Sequence, residues 1–457
     1  MKIVKPSKSS RPACLTNAIL FAGLCATGAR SQDFWSFANQ KPAWLTEASI
    51  SVKETYDDNV FLSGVAPKYL PANYTVPAAS AAALADRSSY VTTVSPKLAV
   101  NLSPLLGTPS PWSLLAFGYA PDFVTFHDQS TESYDAQRAT AATRAQWGAF
   151  SFSADDSFTY VDGSSTGPFY PGALFNANYA CVVRERREQI QDRAGAAFQY
   201  DWHNLFFRPT AALTLYDLMT DLYNVTGYQN YASRYDVNGG ADIGYRVTPQ
   251  LAFTLDARYG HQYQQQFSFS PYSSSSDYQR LLAGLEGKPW QWLDAKILCG
   301  PDFRHYPADT LTHITPVNDL NPVKFYGEAL LVATLTARDA VTFKFKEWEW
   351  VSSIGKIPYL ESTYDLGYHR KLTDKLGADL GGRLLCADYT GGNIVNSHRN
   401  DWDYLFTAGL GYAFNPHVSV NLAYTLELGR NAADDVVNDL TREFNRDLFS
   451  LGAAVRF

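Results

Sequence analysis

From residue 47 onward, apolar and polar side chains alternate with a period of two. Over residues 417–429, Val418, Val420, Leu422, Tyr424, Leu426 and Leu428 take turns with Ser419, Asn421, Ala423, Thr425 and Glu427. Trp402, Tyr404, Phe406, Ala408, Leu410, Tyr412 and Phe414 alternate likewise with Asp403, Thr407, Gly409 and Gly411. Leu251, Phe253, Leu255, Ala257 and Tyr259 do so with Ala252, Thr254, Asp256 and Arg258. Successive side chains of a strand point to opposite faces, so each stretch builds one apolar face and one polar or small face. A helix would scatter these residues around its axis. The pattern predicts long strands.

Short turns fall near residues 105–111, 147–149, 202–204, 248–250, 289–292, 337–339, 373–374 and 415–416. Longer polar loops lie between them, as at 57–87, 162–184, 307–323 and 429–445. Eight such hairpins with one strand at each end predict about 18 strands, within a range of 16–18. The expected fold is all-β, a single transmembrane antiparallel up-and-down β-barrel over residues 47–457. Short turns would face the periplasm and long loops the exterior. A soluble propeller repeats at a similar interval, but its blades need four short strands, and each unit here holds two long ones.

Composition sharpens this. Aromatic residues reach 14%, from 29 Tyr, 27 Phe and 10 Trp, while charged residues are only 18%. Near the short turns stand Trp112, Trp147, Phe150, Trp202, Phe207, Trp290, Trp292 and Phe414. Near the long-loop ends stand Tyr160, Tyr216, Tyr235, Tyr259, Tyr278, Trp350, Tyr364, Trp402 and Tyr404. Two aromatic bands are expected where a barrel meets the two membrane interfaces. No stretch after residue 31 supplies the ~20 apolar residues of a membrane helix.

The first thirty residues read differently. Lys2, Lys5, Lys8 and Arg11 precede a mostly apolar run over 13–29, and Ala29-Arg30-Ser31 stands before Gln32. Residues 1–31 are expected to be a signal peptide, followed by a short periplasmic arm over 32–46 carrying Trp35, Phe37 and Trp44. Removing the leader takes away five positive charges and no negative ones, moving the formal charge from −7 to −12. That balance argues against nucleic acid as a partner. Cys181, Cys299 and Cys386 remain, widely spaced and without a CxxC or metal-ligand pattern. The sequence therefore points to an exported chain without a disulfide framework, metal or cofactor.

Two segments carry a family resemblance. One is Tyr56-Asp57-Asp58-Asn59-Val60-Phe61, and the other is the last strand, with Phe449, Leu451, Ala453 and Val455 on one face and Phe457 at its end. Over residues 47–457 the chain resembles the Gram-negative outer-membrane β-barrel superfamily. Its first segment is similar to that of the porin-like barrel group of the β-barrel porin 2 type. The resemblance implies location in the bacterial outer membrane and contact with its lipid. It also implies delivery to the barrel assembly machinery through Phe449, Leu451, Val455 and Phe457. It brings no catalytic residues and leaves the oligomeric state open.

If the apolar face meets lipid, the opposite face lines a lumen. That assignment places Arg138, Arg144, Arg193, Asp242, Arg246, Asp256, Arg258, Arg280, Glu286, Asp294, Lys296, Lys344, Lys346, Asp365, Asp379, Arg383 and Glu427 inside, with Gly240, Gly300, Gly381, Gly409 and Gly411. Charges facing lipid at mid-depth would cost ~2–4 kcal/mol each for Arg or Lys. The expected function is a passive diffusion channel for small hydrophilic solutes. The alternative is a plugged barrel serving as a structural or polymer-export scaffold.

An outer-membrane enzyme would need a nucleophile–histidine constellation, and no G-x-S-x-G or HExxH occurs. His127, His261 and His305 stand toward the long-loop rim, and His203 and His417 beside short turns. No enzyme is expected. Asp57, Asp58, Asp86, Asp309, Asp319, Asp434, Asp435 and Asp439 would surround the outer mouth and give a mild cation preference. Asp57-Asp58-Asn59 lacks the oxygen spacing of a calcium loop and reads as a turn. The mixed run at 184–188 reads as a solvated rim, and the alanine-rich stretch at 78–85 as a short helix over the mouth.

Overall fold

The structure, a computed structural model, describes residues 41–60, 62, 88–107, 109–162, 188–219, 232–265, 274–307, 320–351, 358–389, 399–433 and 444–457. The leader, most of the expected arm, Phe61, the stretch 78–85, Cys181 and positions 184–187 lie outside the described residues. So do Asp86, Asp309, Asp319, Asp434, Asp435 and Asp439.

The alternating stretches form strand segments β1 Leu45–Asp57, β2 Ser89–Asn101, β3 Trp112–Tyr119, β4 Asp122–Phe126, β5 Tyr134–Trp147 and β6 Phe150–Asp162. They continue with β7 Gln189–Trp202, β8 Leu205–Asp217, β9 Arg234–Thr248, β10 Leu251–Gln264, β11 Ser276–Trp290 and β12 Leu293–His305. The last are β13 Val323–Thr334, β14 Asp339–Trp350, β15 Tyr359–Lys371, β16 Leu376–Tyr389, β17 Arg399–Ala413, β18 Val418–Ala433 and β19 Phe444–Arg456. β3 and β4 are two halves of one crossing, since both pair with β2 and with β5. The break falls at Ala120 and Pro121, where proline has no N–H for the ladder. Every strand runs antiparallel to its chain neighbour, and β1 pairs with both β2 and β19. The result is a closed 18-strand up-and-down barrel.

Closure leaves no free edge, so strand alternation decides everything about the two faces. On β10, Phe253, Leu255 and Tyr259 are exposed on the outer face, Leu255 to 68%, while Ala252, Thr254, Asp256, Gln262 and Gln264 are buried within. On β18 and β19, Leu422, Phe449 and Leu451 are exposed, and Asn421 pairs with Gly452 on the other face. Outer residues are large and apolar through most of the circumference. Asp156 departs from this rule at mid-strand, standing between Phe152 and Phe158 on the outer face of β6.

Most of the short connections are tight. Gly148 turns β5 into β6 with φ +58°, a conformation that costs glycine little. Gly287 has φ +118° where the β10–β11 register ends, and a Cβ there would lie 1.9 Å from the Gln250 carbonyl oxygen. The ten-residue connection from β2 to β3 instead carries a 3₁₀ turn, Ser103–Leu106.

Candidate functional site

By strand register, the charged positions assigned above share the face that makes contacts across the barrel. Many belong to one row. Stepping from strand to paired strand, Glu286 faces Lys296, which faces Leu330, and the row continues through Lys344, Asp365, Arg383, Leu405, Glu427 and Arg446. Barrel strands are tilted, so this row climbs. It starts near the short turns at Glu286 and ends near the long loops at Arg446.

Along the inner wall, most of these groups are paired. Arg383 meets Asp365 at 2.6 Å, and Arg144 meets Asp155 at 2.8 Å. Arg246 meets Asp201 and Arg258 meets Asp256, each at 2.6 Å. Arg138 is held by Asp122, Arg193 bonds the Tyr216 hydroxyl, and Asp379 lies 2.7 Å from His369 Nδ1. Arg446 bridges Glu427 at 3.2 Å and Asp57 at 2.6 Å. Arg208 spans from β8 to β11, joining Asp242 at 2.6 Å and Glu286 at 2.8 Å. Asp294, Lys296, Lys344 and Lys346 have no ion pair among the described residues.

The long-loop half of the barrel is crowded over β9–β16. The β13–β14 ladder ends at Gly327 and Glu347, whereas β14–β15 pairing continues to Trp350 and Tyr359. The long-loop end of β14, paired with the start of β15, thus parts from β13 and leans into the lumen. There Gln262 Nε2 donates to the Glu349 carbonyl at 2.9 Å, Arg304 Nη2 to the same oxygen at 3.1 Å, and Arg234 Nη1 to the Val351 carbonyl at 2.7 Å. The Arg234 guanidinium lies 5.3 Å from the Tyr216 ring and 5.2 Å from the Trp350 ring, so it joins β8 to β14 across the barrel.

Beneath that tip is a buried polar stack. Arg280 and Arg304 both bond Asp302, at 2.9 and 2.8 Å, and Arg304 also donates to Gln262 Oε1 at 2.8 Å. The Arg280 guanidinium lies between the rings of Tyr278 and Tyr326, 3.9 and 4.2 Å from their centroids. Tyr278 donates to Asp236 at 2.9 Å, and its ring occupies the space left by Gly260 directly opposite. Lys346 sits over the Trp348 ring at 3.5 Å, and that ring stacks on Trp350. Burial holds the Tyr306 phenol well above its ordinary range, so it stays protonated and donates to Glu349. Arg304 is 2% exposed and Asp302 0%. Buried charges persist only with partners of this kind.

Across the lumen the wall is sparse. β2, β3 and β5–β8 present Ala99, Ala116, Gly118, Thr140, Ala142, Ser153, Ser157, Thr159, Gly195, Ala197, Thr210 and Ala212 on the inner face. Apart from neighbouring strands, no two strands share an extended packed interface among the described residues. Among the described residues, the interior crossing is made by individual side chains that reach the long-loop end of β14.

Two expectations need correction. Tyr216, Tyr278 and Trp350, placed in the outer aromatic band, point inward: Tyr216 meets Arg193 and Trp350, and Tyr278 and Trp350 are 1% and 2% exposed. Tyr278 shares its face with Arg280 and Leu282, so alternation carries it inside. Asp57, expected at the outer mouth, is buried in its pair with Arg446, and Asp58 Oδ1 accepts the Asp447 N–H at 2.7 Å. The Asp57 charge is thereby matched by Arg446, whereas Asp58 keeps its charge. Asn59 N–H bonds Asp57 Oδ1 at 3.0 Å, which makes this segment a turn.

Sequence reasoning also missed Arg208, Arg234, Asp236, Asp302, Arg304, Glu349 and Arg446. For Asp302 and Arg304 the signal was present, since both continue the alternation of Asp294 and Lys296 along β12. The inward lean at Glu349 has no such signal, because it depends on where a ladder to another strand stops.

No family model matches the chain, and no curated protein matches it. Among solved structures, the chain is similar to OpdK of Pseudomonas aeruginosa, solved with vanillate, at 10% identity and a TM-score of 0.41. That match covers 90% of this chain and 98% of OpdK. The ferric enterobactin receptor PfeA of the same organism, in a mutant form, matches at 9% identity and a TM-score of 0.38, covering 90% and 80% of the two chains. OpdO of Pseudomonas aeruginosa matches at 11% identity and a TM-score of 0.39, covering 90% and 97%.

Proposed function

We propose that this chain spans the bacterial outer membrane and conducts small hydrophilic solutes by passive diffusion, along the sparse side of its lumen. The observation that carries the reading is the split between faces: exposed Leu, Phe and Tyr outside, charged and small side chains inside a closed barrel. A sheet in water has no use for an apolar outer face over most of its circumference, whereas a bilayer favours one. A barrel of this strand number is wide enough for an aqueous path. The crowded sector fills one side of the long-loop half, so the path runs beside β2–β8.

In this reading the positively charged and apolar leader, residues 1–31, directs export, and a short periplasmic arm leads from it to β1. Lipid surrounds the outer face. Phe449, Leu451 and Val455 on the outer face of β19, with terminal Phe457 beside Ala48 of β1, form the signal handed to the assembly machinery. The inner charges set the field that a passing solute meets. Purified full-length protein in a planar bilayer tests the proposal. Stepwise channels from folded protein are expected; a folded barrel without conductance would favour the plugged scaffold.

A further inference from the structure

We propose that the short-turn end of the lumen holds a binding site for an organic anion with an aliphatic body, a site that rests on the channel reading above. A cavity of about 360 Å³ lies there, with Lys288, Trp292, Asp294, Lys296, Leu330 and Val332 in its lining. Two features set it apart from the rest of the inner wall.

The first is apolar. Leu330 and Val332 face inward from β13, Leu330 between Lys296 and Lys344 on the charged register row and Val332 beside Asp294, and Leu330 is 40% exposed. A large aliphatic side chain left wet inside a polar lumen is a surface that gains by being covered. The second is charge. Inner arginines are mostly matched to carboxylates, but Arg208 occupies Glu286 and Arg383 occupies Asp365. The lysines opposite those acids, Lys296 and Lys344, are thereby left without partners among the described residues. They flank Leu330 directly, one on each neighbouring strand, ~10 Å apart across two strand spacings.

Ammonium groups on flexible four-carbon stems can converge on one anionic head above an aliphatic floor. Lys288, Lys296 and neighbouring Lys344 outnumber Asp294, so the site is net positive. A bare inorganic anion would leave Leu330 and Val332 wet, and an uncharged hydrocarbon would leave the lysines unmatched. The fitting chemistry is a carboxylate or similar head on a short alkyl chain.

Titration calorimetry on the folded full-length barrel in detergent tests this without any need for conduction. Hexanoate, acetate and hexylammonium are the probes. Hexanoate should bind, with acetate at least about tenfold weaker because it leaves the aliphatic floor uncovered. The double variant Lys296→Gln with Lys344→Gln should lose roughly tenfold or more in hexanoate affinity. Its Lys→Arg counterpart should retain most of it. Leu330→Ser should bring hexanoate close to acetate, and Lys53→Gln on β1 should change nothing. Absent hexanoate binding, equal binding of acetate or hexylammonium, or an undiminished double variant would each overturn the site. A barrel that binds hexanoate but never conducts would overturn the channel and leave the site standing. A conducting barrel that binds none would do the reverse.

Discussion

The two sides of this barrel are built on the same backbone pattern and carry opposite contents. Over β9–β16 the inner face holds Arg, Tyr and Trp side chains that bond one another and the inward-leaning tip of β14. Over β2–β8 the middle of the wall holds alanine, glycine, serine and threonine and solvent-open pairs such as Arg144–Asp155, with a small buried cluster of Val91, Val124 and Phe126 at the long-loop end. An antiparallel ladder is indifferent to which side chains it presents inward. Strand pairing therefore fixes the container, and side-chain volume alone decides where the free space runs.

The same contrast governs energetics. A salt bridge in water contributes ~0–1 kcal/mol, whereas removing one partner of a buried pair costs ~3–5 kcal/mol by leaving a charge uncompensated. Arg304→Ala would take from Asp302 one of its two buried arginines, leaving Arg280 alone, and would remove the donor of Gln262 Oε1. It should lower barrel stability by about 3–5 kcal/mol in urea unfolding from detergent. Arg144→Ala, in the sparse sector, should change it by less than about 1 kcal/mol. Similar losses for both would mean that the two sectors are not energetically distinct.

The outer face is common to both regions and sharpens the comparison from outside. Leu422→Arg should impair insertion into vesicles by about 2–4 kcal/mol, and Asn421→Arg far less, because adjacent residues face opposite sides. Equal tolerance would place the register, or the membrane itself, in error.

A smaller effect is expected where packing rather than charge is disturbed. Gly260→Val would drive a side chain into the Tyr278 ring, which lies 2.3 Å from where a Cβ would stand. The ring must move, and Arg280 loses one of its two aromatic faces. The expected destabilisation is about 1–3 kcal/mol. Gly195→Val in the sparse wall has only a backbone oxygen at 3.9 Å nearby and should be nearly neutral.

Much of this container was legible in the sequence. Alternation marks the strands and short-turn spacing marks the hairpins. Contents were less legible, because they depend on contacts between strands far apart in the chain. Nothing local to Arg208 indicates Glu286, 78 residues away, and nothing near Arg234 indicates the Val351 carbonyl. Tyr216, Tyr278 and Trp350 read as interfacial aromatics from their nearness to strand ends, whereas parity sends them inward beside Arg208, Arg280 and Lys346. The β3–β4 break could also have been read, since Pro121 lies inside an otherwise regular stretch.

The central claim is that solutes pass along the sparse wall, and thiol modification during single-channel recording tests it most directly. In a background with Cys181, Cys299 and Cys386 replaced by alanine, Ser157→Cys places a thiol on the inner face of the sparse sector. Ser276→Cys places one in the crowded sector, where the native serine is 1% exposed. A charged methanethiosulfonate reagent should reduce the current through the Ser157→Cys channel in a discrete step and leave the Ser276→Cys channel unchanged. Block at Ser276→Cys with none at Ser157→Cys would contradict the account.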